Sequence, residues 1–487
     1  MNTTKKTSLT SVIGASSVGT MIEWYDFYIF GSLATVISTK FFPQDNPTAA
    51  FLSTLATFAA GFVVRPFGAL FFGRLGDLIG RKYTFMVTLL LMGGATFLIG
   101  CIPSYETIGF MAPVLILLLR LLQGLALGGE YGGAATYVAE HSPNGQRGFM
   151  TAWIQTTATV GLFVSLLVIM GTRAALSAED FDAWGWRVPF CVSILMVLVS
   201  YLIRKNMEES PVFAKAKASG KTSANPLKES FGKKLNFKFV LLALFGAVMG
   251  QGVIWYTGQF YAMSFIEKTM SVDKEQVDSL MFIALMLGTP FFLVFGWLSD
   301  KIGRKWIMMI GMLIAIVSYR PIYEKMYQTT NVANKIEVSS SNNVNTITTV
   351  YSDSTVRREI QKTNPENGAI TTTIKLSINS NDKQRLIILV FIQVLFVTMV
   401  YGPIAAFLVE MFPTKIRYTS MSLPYHIGNG VFGGLLPAVA TYLATNAKTS
   451  GKADWYLEGL WYPIGVAAVC LVIGVIYING KDKEIND

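Results

Sequence analysis

The chain has 487 residues, of which 52% are hydrophobic and 14% charged, and its mean hydropathy is +0.46. This composition excludes an ordinary soluble domain and predicts an integral membrane protein. The net charge of +10 does not indicate a nucleic-acid partner, because the basic residues are spread through short loops between apolar stretches.

Twelve apolar stretches of about 20 residues predict twelve transmembrane helices and an all-α fold. They lie near 11–38, 51–73, 83–103, 111–138, 148–172, 187–204, 237–266, 278–298, 306–323, 384–411, 417–445 and 456–478. The first stretch is too long for a cleaved signal peptide. Basic residues gather on one side if the stretches alternate in direction, which predicts that both termini are cytoplasmic.

The first stretch carries two acids, Glu23 and Asp26, which lie on neighbouring sides of a helix because they are three residues apart. A charge in hydrocarbon costs about 2.5–3.5 kcal/mol on insertion scales, so such groups usually line a pathway or pair with one another. The pKa of a buried carboxylate depends on whether a guanidinium lies near it, and movement of that partner can load or release a proton. We therefore expect Glu23 and Asp26 to serve in proton coupling. The alternative is that they form fixed ion pairs between helices.

The second and fourth stretches carry the basic partners. Arg65 precedes Pro66 in the second stretch, and Arg120 lies in the fourth. At 100° per residue, Arg120 and Tyr131 lie within about 20° of each other, which predicts a stripe that faces a cavity. We expect Arg65, Arg120, Gln123 and Tyr131 to contact a solute.

The seventh stretch is dense in aromatic and amide groups, which orient small polar solutes through hydrogen bonds and apolar walls. The solute-contact candidates of the second half of the chain are Trp255, Tyr256, Gln259 and Tyr261 in this stretch and Asn429 in the eleventh. The alternative is that the aromatic residues only pack helices together. The neighbouring His426 is expected to be a satisfied interior residue.

Two loops repeat one pattern, Gly-x-Leu-(Gly/Ser)-Asp-x-x-Gly-Arg-Lys, at 73–82 and at 296–305. A repeat at that separation indicates two copies of one multi-helix unit, which is the usual plan of secondary transporters. The predicted domains are a six-helix bundle at 1–204, a cytoplasmic linker at 205–236 and a second six-helix bundle at 237–487.

Charged residues near the helix ends are candidates for a cytoplasmic gate. In the two repeated loops, the aspartates are placed for charge-assisted hydrogen bonds and the basic residues lie on the aqueous side. The predicted gating residues are Asp77, Arg81, Glu130, Glu140, Arg147, Asp300, Arg304, Glu410 and Arg417.

A polar insertion at 325–383, rich in Thr, Asn and Ser, separates the ninth and tenth stretches. The alternation from Ile370 to Ile378 after Asn367-Gly368 predicts a small β-hairpin, to which 345–351 adds a strand. We interpret the insertion as a tolerated loop elaboration, with a role in partner docking or gating as the alternative.

A set of short motifs lies at the predicted cavity and gate positions. These motifs are Glu23-Trp-Tyr-Asp26, Arg65-Pro-Phe-Gly68, Arg120-x-x-Gln-Gly124, Gly128-Gly-Glu-Tyr131, Trp184-Gly-Trp-Arg-Val-Pro-Phe190, Glu208-Glu-Ser-Pro-Val-Phe213, and Glu410-Met-Phe-Pro413 with Arg417. Together with the repeated loops, they resemble the metabolite:H⁺ symporter family of the major facilitator superfamily. The resemblance implies a fold of two pseudo-symmetric six-helix bundles. It also implies import of organic acids such as α-ketoglutarate, citrate or shikimate, or of zwitterions such as proline and betaine. It covers nearly the whole chain except 325–383, which typical members lack.

The expected function is that of a proton-coupled symporter that imports a mono- or dicarboxylate by alternating access, because the planar fork of arginine matches a carboxylate. A proline/glycine betaine-type zwitterion transporter is the alternative, since Arg65 and Arg120 belong to motifs that zwitterion carriers of the family share. A non-transporting membrane receptor of the same fold is a further alternative.

An enzyme is not expected, because two His and three scattered Cys offer neither a nucleophile–base pair nor a metal site. The expected partners are a small organic solute, protons and the lipid bilayer. We expect no cofactor and no nucleic acid, and we expect the chain to be a monomer.

Overall fold

Long helices dominate the computed structural model, which describes residues 9–205, 207–343, 345–363 and 370–478. Within these residues, eleven helices are long and apolar enough to cross a membrane. They follow α1 (Leu9–Ser32) and are α2 (Leu52–Leu78), α3 (Arg81–Cys101), α4 (Met111–His141), α5 (Arg147–Ala175), α6 (Gly185–Lys205), α7 (Lys234–Thr269), α8 (Lys274–Ile302), α9 (Arg304–Thr330), α10 (Ser380–Met411), α11 (Thr414–Thr449) and α12 (Trp455–Tyr477). The prediction of an all-α membrane fold is confirmed.

The first helix, α1, is not among those eleven, and it carries two acids within its 24 residues. Its burial nevertheless places it inside the bundle, since the side chains of Tyr25 and Ile29 are completely buried. Gly161 of α5 packs directly on it, because a Cβ atom at that glycine would lie only 2.6 Å from the Cβ atom of Trp24. The α1 helix is therefore an integral part of the helix bundle.

The helices pack as an N-terminal half, α1 to α6, and a C-terminal half, α7 to α12, which meet along α2–α11 and along α5–α8. The two contacts are equivalent in the internal repeat. The α2 helix of the first half and the α8 helix of the second half each end in one of the repeated loops, and each packs against a helix of the other half. The segment between α6 and α7 contains the short helix Pro211–Ala218. We call its side of the molecule the linker side and the opposite side, between α9 and α10, the sheet side.

Three helices depart from regular α geometry near the interface between the halves. In α2, the chain breaks at Val64 before Arg65-Pro66, as expected where proline lacks a backbone N–H. The α7 helix contains π-helical turns at Leu244–Val248, Thr257–Tyr261 and Phe265–Thr269, and α11 contains one at Gly428–Gly433. Such turns often occur at functional sites.

A four-stranded antiparallel sheet in the order β1-β2-β3-β4 fills the polar insertion. Its strands are β1 (Glu337–Asn343), β2 (Thr346–Tyr351), β3 (Val356–Thr363) and β4 (Ile370–Ser377). The predicted hairpin corresponds to β3 and β4, which pair antiparallel, and the predicted additional strand corresponds to β2. The β1 strand was not predicted, and the predicted turn at Asn367-Gly368 lies outside the described residues.

The insertion also begins later than residue 325, because α9 continues to Thr330. Met326 is fully buried on this extension, so apolar contact extends the helix beyond the point where the sequence turns polar. The sheet is tied to the bundle through β4. Leu376 donates its N–H to the Ser271 carbonyl over 2.7 Å and accepts from the Asp273 N–H over 2.9 Å, in the loop between α7 and α8.

Candidate functional site

A cavity lies between the two halves, in the middle of the bundle. It is lined by Glu23, Trp24 and Phe27 of α1, Phe62 and Arg65 of α2, Trp255 and Tyr256 of α7, Tyr401 of α10, and Tyr425, His426, Asn429 and Gly430 of α11. Both halves contribute, which is the placement that a solute site needs if the halves are to close around it in turn. Among the predicted site residues, the cavity brings together Glu23, Arg65, Trp255, Tyr256 and Asn429.

Glu23 and Arg65 are the charged pair of this cavity. Nη1 of Arg65 lies 4.0 Å from Oε1 of Glu23, and the guanidinium carbon lies 4.2 Å from the centroid of the Phe62 ring. Arg65 follows the helix break at Val64 and lies beside Glu23 in the cavity between the halves. Oε2 of Glu23 and Nε of Arg65 are buried without a hydrogen-bond partner among the described residues. The pair is therefore loose, and both members retain hydrogen-bonding capacity for a ligand.

Asp26 belongs to a separate network inside the N-terminal half. Its Oδ2 accepts a 2.6 Å hydrogen bond from Nε2 of Gln123, and Oε1 of Gln123 accepts one of 2.8 Å from Arg120. The Arg120 guanidinium lies over the rings of Phe30 and Phe58, at 4.3 and 5.0 Å from their centroids. Asp26, Arg120 and Gln123 therefore hold α1 and α4 together and do not line the cavity.

The predicted stripe of Arg120 and Tyr131 on α4 is divided by the structure. Tyr131 lies against the C-terminal half, where its ring stacks on that of Tyr425 with centroids 3.7 Å apart and planes 6° apart. The Tyr425 hydroxyl in turn lies 2.5 Å from that of Tyr401. These three tyrosines join α4, α10 and α11 directly beside the cavity. Their similar angle on the helix did not place both residues at the cavity, because Arg120 and Tyr131 are three turns apart and face different neighbours.

The α7–α11 wall of the cavity depends on close backbone contact. A Cβ atom at Gly252 would lie 2.6 Å from the Gly428 carbonyl oxygen, so the two helices touch there. Asn429 and Gln251 exchange amide hydrogen bonds of 3.1 and 3.2 Å beside this contact. The wall is completed by Trp255, whose ring centroid is 5.2 Å from that of Trp24 in the other half.

Two predicted solute contacts on α7 are placed elsewhere. Tyr261 packs against Tyr323 and Phe265 within the C-terminal half, with ring centroids 5.5 and 6.2 Å away. Gln259 is 9% exposed and also lies outside the cavity lining. The π-helical turn at Thr257–Tyr261 changes the direction of the side chains that follow Tyr256, and helical spacing alone does not reveal this.

On the linker side, Asp77 closes the α2–α11 contact. Its carboxylate accepts hydrogen bonds from the N–H groups of Tyr418 and Thr419 over 3.3 and 2.9 Å, at the start of the α-helical part of α11. A carboxylate at a helix N-terminus is favourable because it satisfies free N–H groups and faces the positive end of the helix dipole. Gly73 permits the approach, since a Cβ atom there would lie 2.9 Å from the Thr419 Cα.

A chain of buried charges extends from Asp77. Arg81 lies 3.0 Å from Asp77 and 3.6 Å from Glu140, and Glu140 lies 2.6 Å from Arg417 of the other half. All four side chains are completely inaccessible to solvent. The Ser210 hydroxyl of the linker also bonds Glu140. We call Asp77, Arg81, Glu140 and Arg417 the Asp77 cluster.

The second repeated loop forms a matching cluster at the α8–α5 contact. Asp300 accepts hydrogen bonds of 2.8 Å from the N–H groups of Gly148 and Phe149, at the start of α5. Arg304 lies 2.7 Å from Asp300 and 3.0 Å from Glu410, and Arg147 lies 3.9 Å from Glu410. We call Asp300, Arg304, Glu410 and Arg147 the Asp300 cluster. Each half thus caps a helix of the other half, and the linker side is closed.

Glu130, a predicted gating residue, has a different position. It bonds Arg204 over 2.7 Å and the Thr88 hydroxyl over 2.8 Å, and all three residues belong to the N-terminal half. This ion pair joins α4 to α6 and α3, and it does not cross between the halves. A glutamate that follows two glycines gave no indication of which neighbour it would face.

Sequence reasoning missed several residues of the site. Trp24 lies inside a motif that was recognised for its acids, and Phe62 precedes Arg65 by one helical turn, so both had a signal in the sequence. Tyr425 had none, because its partners Tyr131 and Tyr401 are distant in the chain. The linker contact from Ser210 had a local signal, since a serine followed by a proline is typical of a helix start.

Comparisons with known proteins agree with this architecture. A family described as sugar (and other) transporter matches residues 12–239. The chain is 30% identical over 480 residues to the proline/betaine transporter of Escherichia coli K12, covering 96% of this chain and 83% of that protein. It is 28% identical over 476 residues to the alpha-ketoglutarate permease of the same organism, covering 98% and 95%.

Among solved structures, the proton:xylose symporter XylE bound to 6-bromo-6-deoxy-D-glucose superposes with a TM-score of 0.70. The identity is 15%, and the superposition covers 96% of this chain and 94% of XylE. At this level of identity the likeness shows a shared fold of the major facilitator superfamily.

Proposed function

Because the chain belongs to the metabolite:H⁺ symporter family of the major facilitator superfamily, we propose that it imports a small carboxylate-bearing solute together with protons by alternating access. The observation that carries this proposal is the Glu23–Arg65 pair in the cavity between the halves, with one oxygen and one nitrogen free for a ligand. We further propose that the linker side is the cytoplasmic side of a bacterial inner membrane.

Arg65 is the proposed anchor of the solute carboxylate. Its guanidinium presents a planar set of donors into a cavity whose other walls are largely aromatic. A guanidinium in such a site attracts an anion strongly, provided that no carboxylate of the protein already neutralises it. Glu23 is that competing carboxylate.

Competition between Glu23 and the solute supplies the coupling. When Glu23 takes up a proton, it becomes neutral, and Arg65 is left to bind the solute carboxylate. When Glu23 releases the proton, it reclaims Arg65 and expels the solute. Proton and solute thus enter and leave the cavity together, which is the requirement for symport.

Alternating access follows from the clusters on the linker side. Helix capping by Asp77 and by Asp300 closes this side, and both interactions must break before the cavity can open to the cytoplasm. The capping groups are buried and charged, so their separation has to be offset by hydration of the newly exposed groups. Proton and solute are released into the cytoplasm from the state in which the linker side is open.

A zwitterion transporter is the second candidate, because aromatic rings line much of the cavity. Trp24, Trp255 and Tyr256 provide π surfaces within reach of Arg65 and Glu23. Such surfaces also bind ammonium groups, which would place the positive end of a zwitterion away from Arg65. Both candidates share the carboxylate and its anchor.

Transport by purified protein in proteoliposomes tests the proposal. With an imposed inward proton gradient, labelled proline, glycine betaine, α-ketoglutarate and shikimate are offered in turn, each with and without a protonophore. We expect accumulation of at least one of these carboxylates that collapses when the protonophore is added. Counterflow of the accumulated solute distinguishes a carrier from a receptor, because a receptor binds without exchange. Absence of any gradient-driven accumulation would overturn the proposal.

A further inference from the structure

One polar side chain of the cavity, His426, has no role in the coupling scheme. It lies on α11, one residue after Tyr425, and is 3% exposed. Its ring lies against the backbone of Gly128 in α4, with which it hydrogen-bonds across the interface between the halves. Nε2 is buried without a partner among the described residues. His426 is therefore not the satisfied interior histidine that the sequence predicts.

Three side chains of this cavity have buried polar atoms without a hydrogen-bond partner in the residues that the structure describes. Glu23, Arg65 and His426 all line it, and each has a buried side-chain atom that lacks a hydrogen bond within the described part of the chain. A buried polar atom without a partner costs about 1–3 kcal/mol, so a native protein leaves such atoms mainly where a ligand or water satisfies them. The cavity thus presents a set of polar groups that the solute has to match.

The chemistry of these groups specifies what the solute must offer. Arg65 can only donate hydrogen bonds and therefore binds the carboxylate. A second positive charge beside Arg65 in a water-poor cavity is unfavourable, so the imidazole of His426 is neutral. In a neutral imidazole one nitrogen donates and the other accepts. With one nitrogen engaged at the Gly128 backbone, a carbonyl acceptor, the remaining nitrogen is an acceptor that needs a donor.

We propose that His426 selects for solutes that carry an N–H or O–H donor close to the carboxylate. On this basis α-amino, α-imino and α-hydroxy acids bind in preference to analogues in which every such donor is methylated. The inference rests on the proposed function for the role of Arg65, and it adds the chemical class of the solute and the residue that discriminates.

Water does not remove this selectivity. A water molecule could satisfy the free nitrogen before the solute binds, but a bound solute would displace that water. A solute that cannot replace the lost hydrogen bond binds more weakly than one that can. An N-methyl group placed against the nitrogen would leave it buried and unpaired, whereas an N–H group would satisfy it.

Matched solutes that differ only in methylation test this inference on the purified full-length chain. The probes are glycine, sarcosine, N,N-dimethylglycine and glycine betaine, then proline and proline betaine, and then lactate and 2-methoxypropionate. Binding is followed by quenching of tryptophan fluorescence, because Trp24 and Trp255 line the cavity. In each series, we expect the fully methylated member to bind about tenfold more weakly than the best donor-bearing member.

Variants assign the discrimination to His426. His426→Phe keeps a flat ring but has no acceptor, so we expect the difference within each series to disappear. His426→Gln keeps an acceptor at similar reach and should retain most of the difference, which guards against a general folding defect. His141→Gln is the matched control at the other histidine of the chain, whose Nδ1 lies 2.8 Å from the Tyr137 carbonyl oxygen, away from the cavity.

The outcomes separate this inference from the proposed function. Equal binding of methylated and unmethylated solutes by the wild-type chain, or unchanged discrimination in His426→Phe, overturns the role of His426. Failure of every donor-bearing probe to bind also overturns it. Discrimination without gradient-driven uptake would instead refute proton-coupled transport and leave the selectivity intact.

Discussion

Asp77 of the N-terminal half accepts two hydrogen bonds from Thr419 of the C-terminal half, one from the backbone N–H over 2.9 Å and one from the hydroxyl over 2.7 Å. The same interaction recurs with the halves exchanged, where Asp300 accepts from the backbone of Gly148 over 2.8 Å. Each repeated loop therefore supplies a carboxylate to a helix start that belongs to the other repeat.

Replacing Asp77 by Asn should favour opening of the linker side. The amide removes the negative charge that both the helix start and Arg81 require, so we expect about a tenfold shift in the ratio of open to closed states. Ser422→Cys, in a background with the three native cysteines replaced by alanine, reports this shift through its rate of maleimide labelling. Asp182→Asn is the control, because it breaks an exposed pair with Lys40 on the opposite side.

Asp300→Asn should have a similar effect, and the double variant should show the product of the two shifts. The two capping sites share no residue, so their free energies are expected to add. The same labelling assay measures all three variants. A double variant that labels no faster than either single variant would show that only one cluster controls closure.

Glu23→Gln should abolish accumulation driven by a proton gradient while counterflow continues, because exchange requires no net proton movement. Asp26→Asn should leave accumulation in place and lower thermal stability, since Asp26 bonds Gln123 and lies in the same buried network as Arg120. Uptake and counterflow in proteoliposomes, with melting of the purified variants, check both expectations. If only Asp26→Asn lost accumulation, Asp26 and not Glu23 would be the residue that carries the proton.

Glu130→Gln should destabilise the protein without altering the gate. It leaves the Arg204 guanidinium, which is 1% exposed, without its counter-ion, and loss of one partner of a buried pair costs about 3–5 kcal/mol. Denaturant or thermal unfolding measures this cost, and labelling at Ser422→Cys should remain at the wild-type rate. Glu229→Gln serves as the control, because Glu229 pairs with the exposed Lys233 and with Lys415.

Docking of the sheet should weaken in acid. Partial burial raises the pKa of Asp353, but hydrogen bonds from Lys335 and Thr355 outweigh the burial and hold that pKa below its usual value. A lowered folded-state pKa stabilises the folded state above the unfolded pKa of about 3.9, and this stability is lost as pH falls towards the folded value. The side chain of Asp353 is 37% exposed, so the contribution of the pair is below about 1 kcal/mol.

Lys335→Met should therefore shift the acid transition of the sheet towards higher pH. Lys335 also lies 2.5 Å from Asp382, at the start of α10, so its loss frees two carboxylates. Hydrogen exchange of β2 and β3 between pH 3 and pH 7 measures the transition. Identical pH profiles for the variant and the wild-type chain would count against a role of Lys335 in docking.

The sequence predicts what depends on local spacing and leaves open what depends on the neighbour that a side chain faces. The twelve stretches, the repeated loops and the cavity pair Glu23 and Arg65 follow from spacing and charge. The helix starts that Asp77 and Asp300 cap could not be predicted in this way, because each helix start lies in the opposite half of the chain from the aspartate that caps it.

Asp26 illustrates the same limit inside one helix. It is three residues from Glu23 and has the same chemistry, yet it faces Gln123 within the N-terminal half, whereas Glu23 faces the cavity. Only the packing of α4 against α1 decides between them. The contact between Tyr131, Tyr401 and Tyr425 could likewise not be predicted from the sequence, because the three tyrosines belong to three different helices.

The sheet between α9 and α10 gives this carrier a landmark for electron microscopy. Most of a chain of this size lies inside the detergent belt, where particle images have few features that fix their orientation. The sheet lies outside that belt on one side only, and backbone hydrogen bonds at Leu376 and the Lys335 contacts hold it to the bundle. An antibody fragment raised against β1, whose seven residues are all exposed, would enlarge this landmark without touching the cavity.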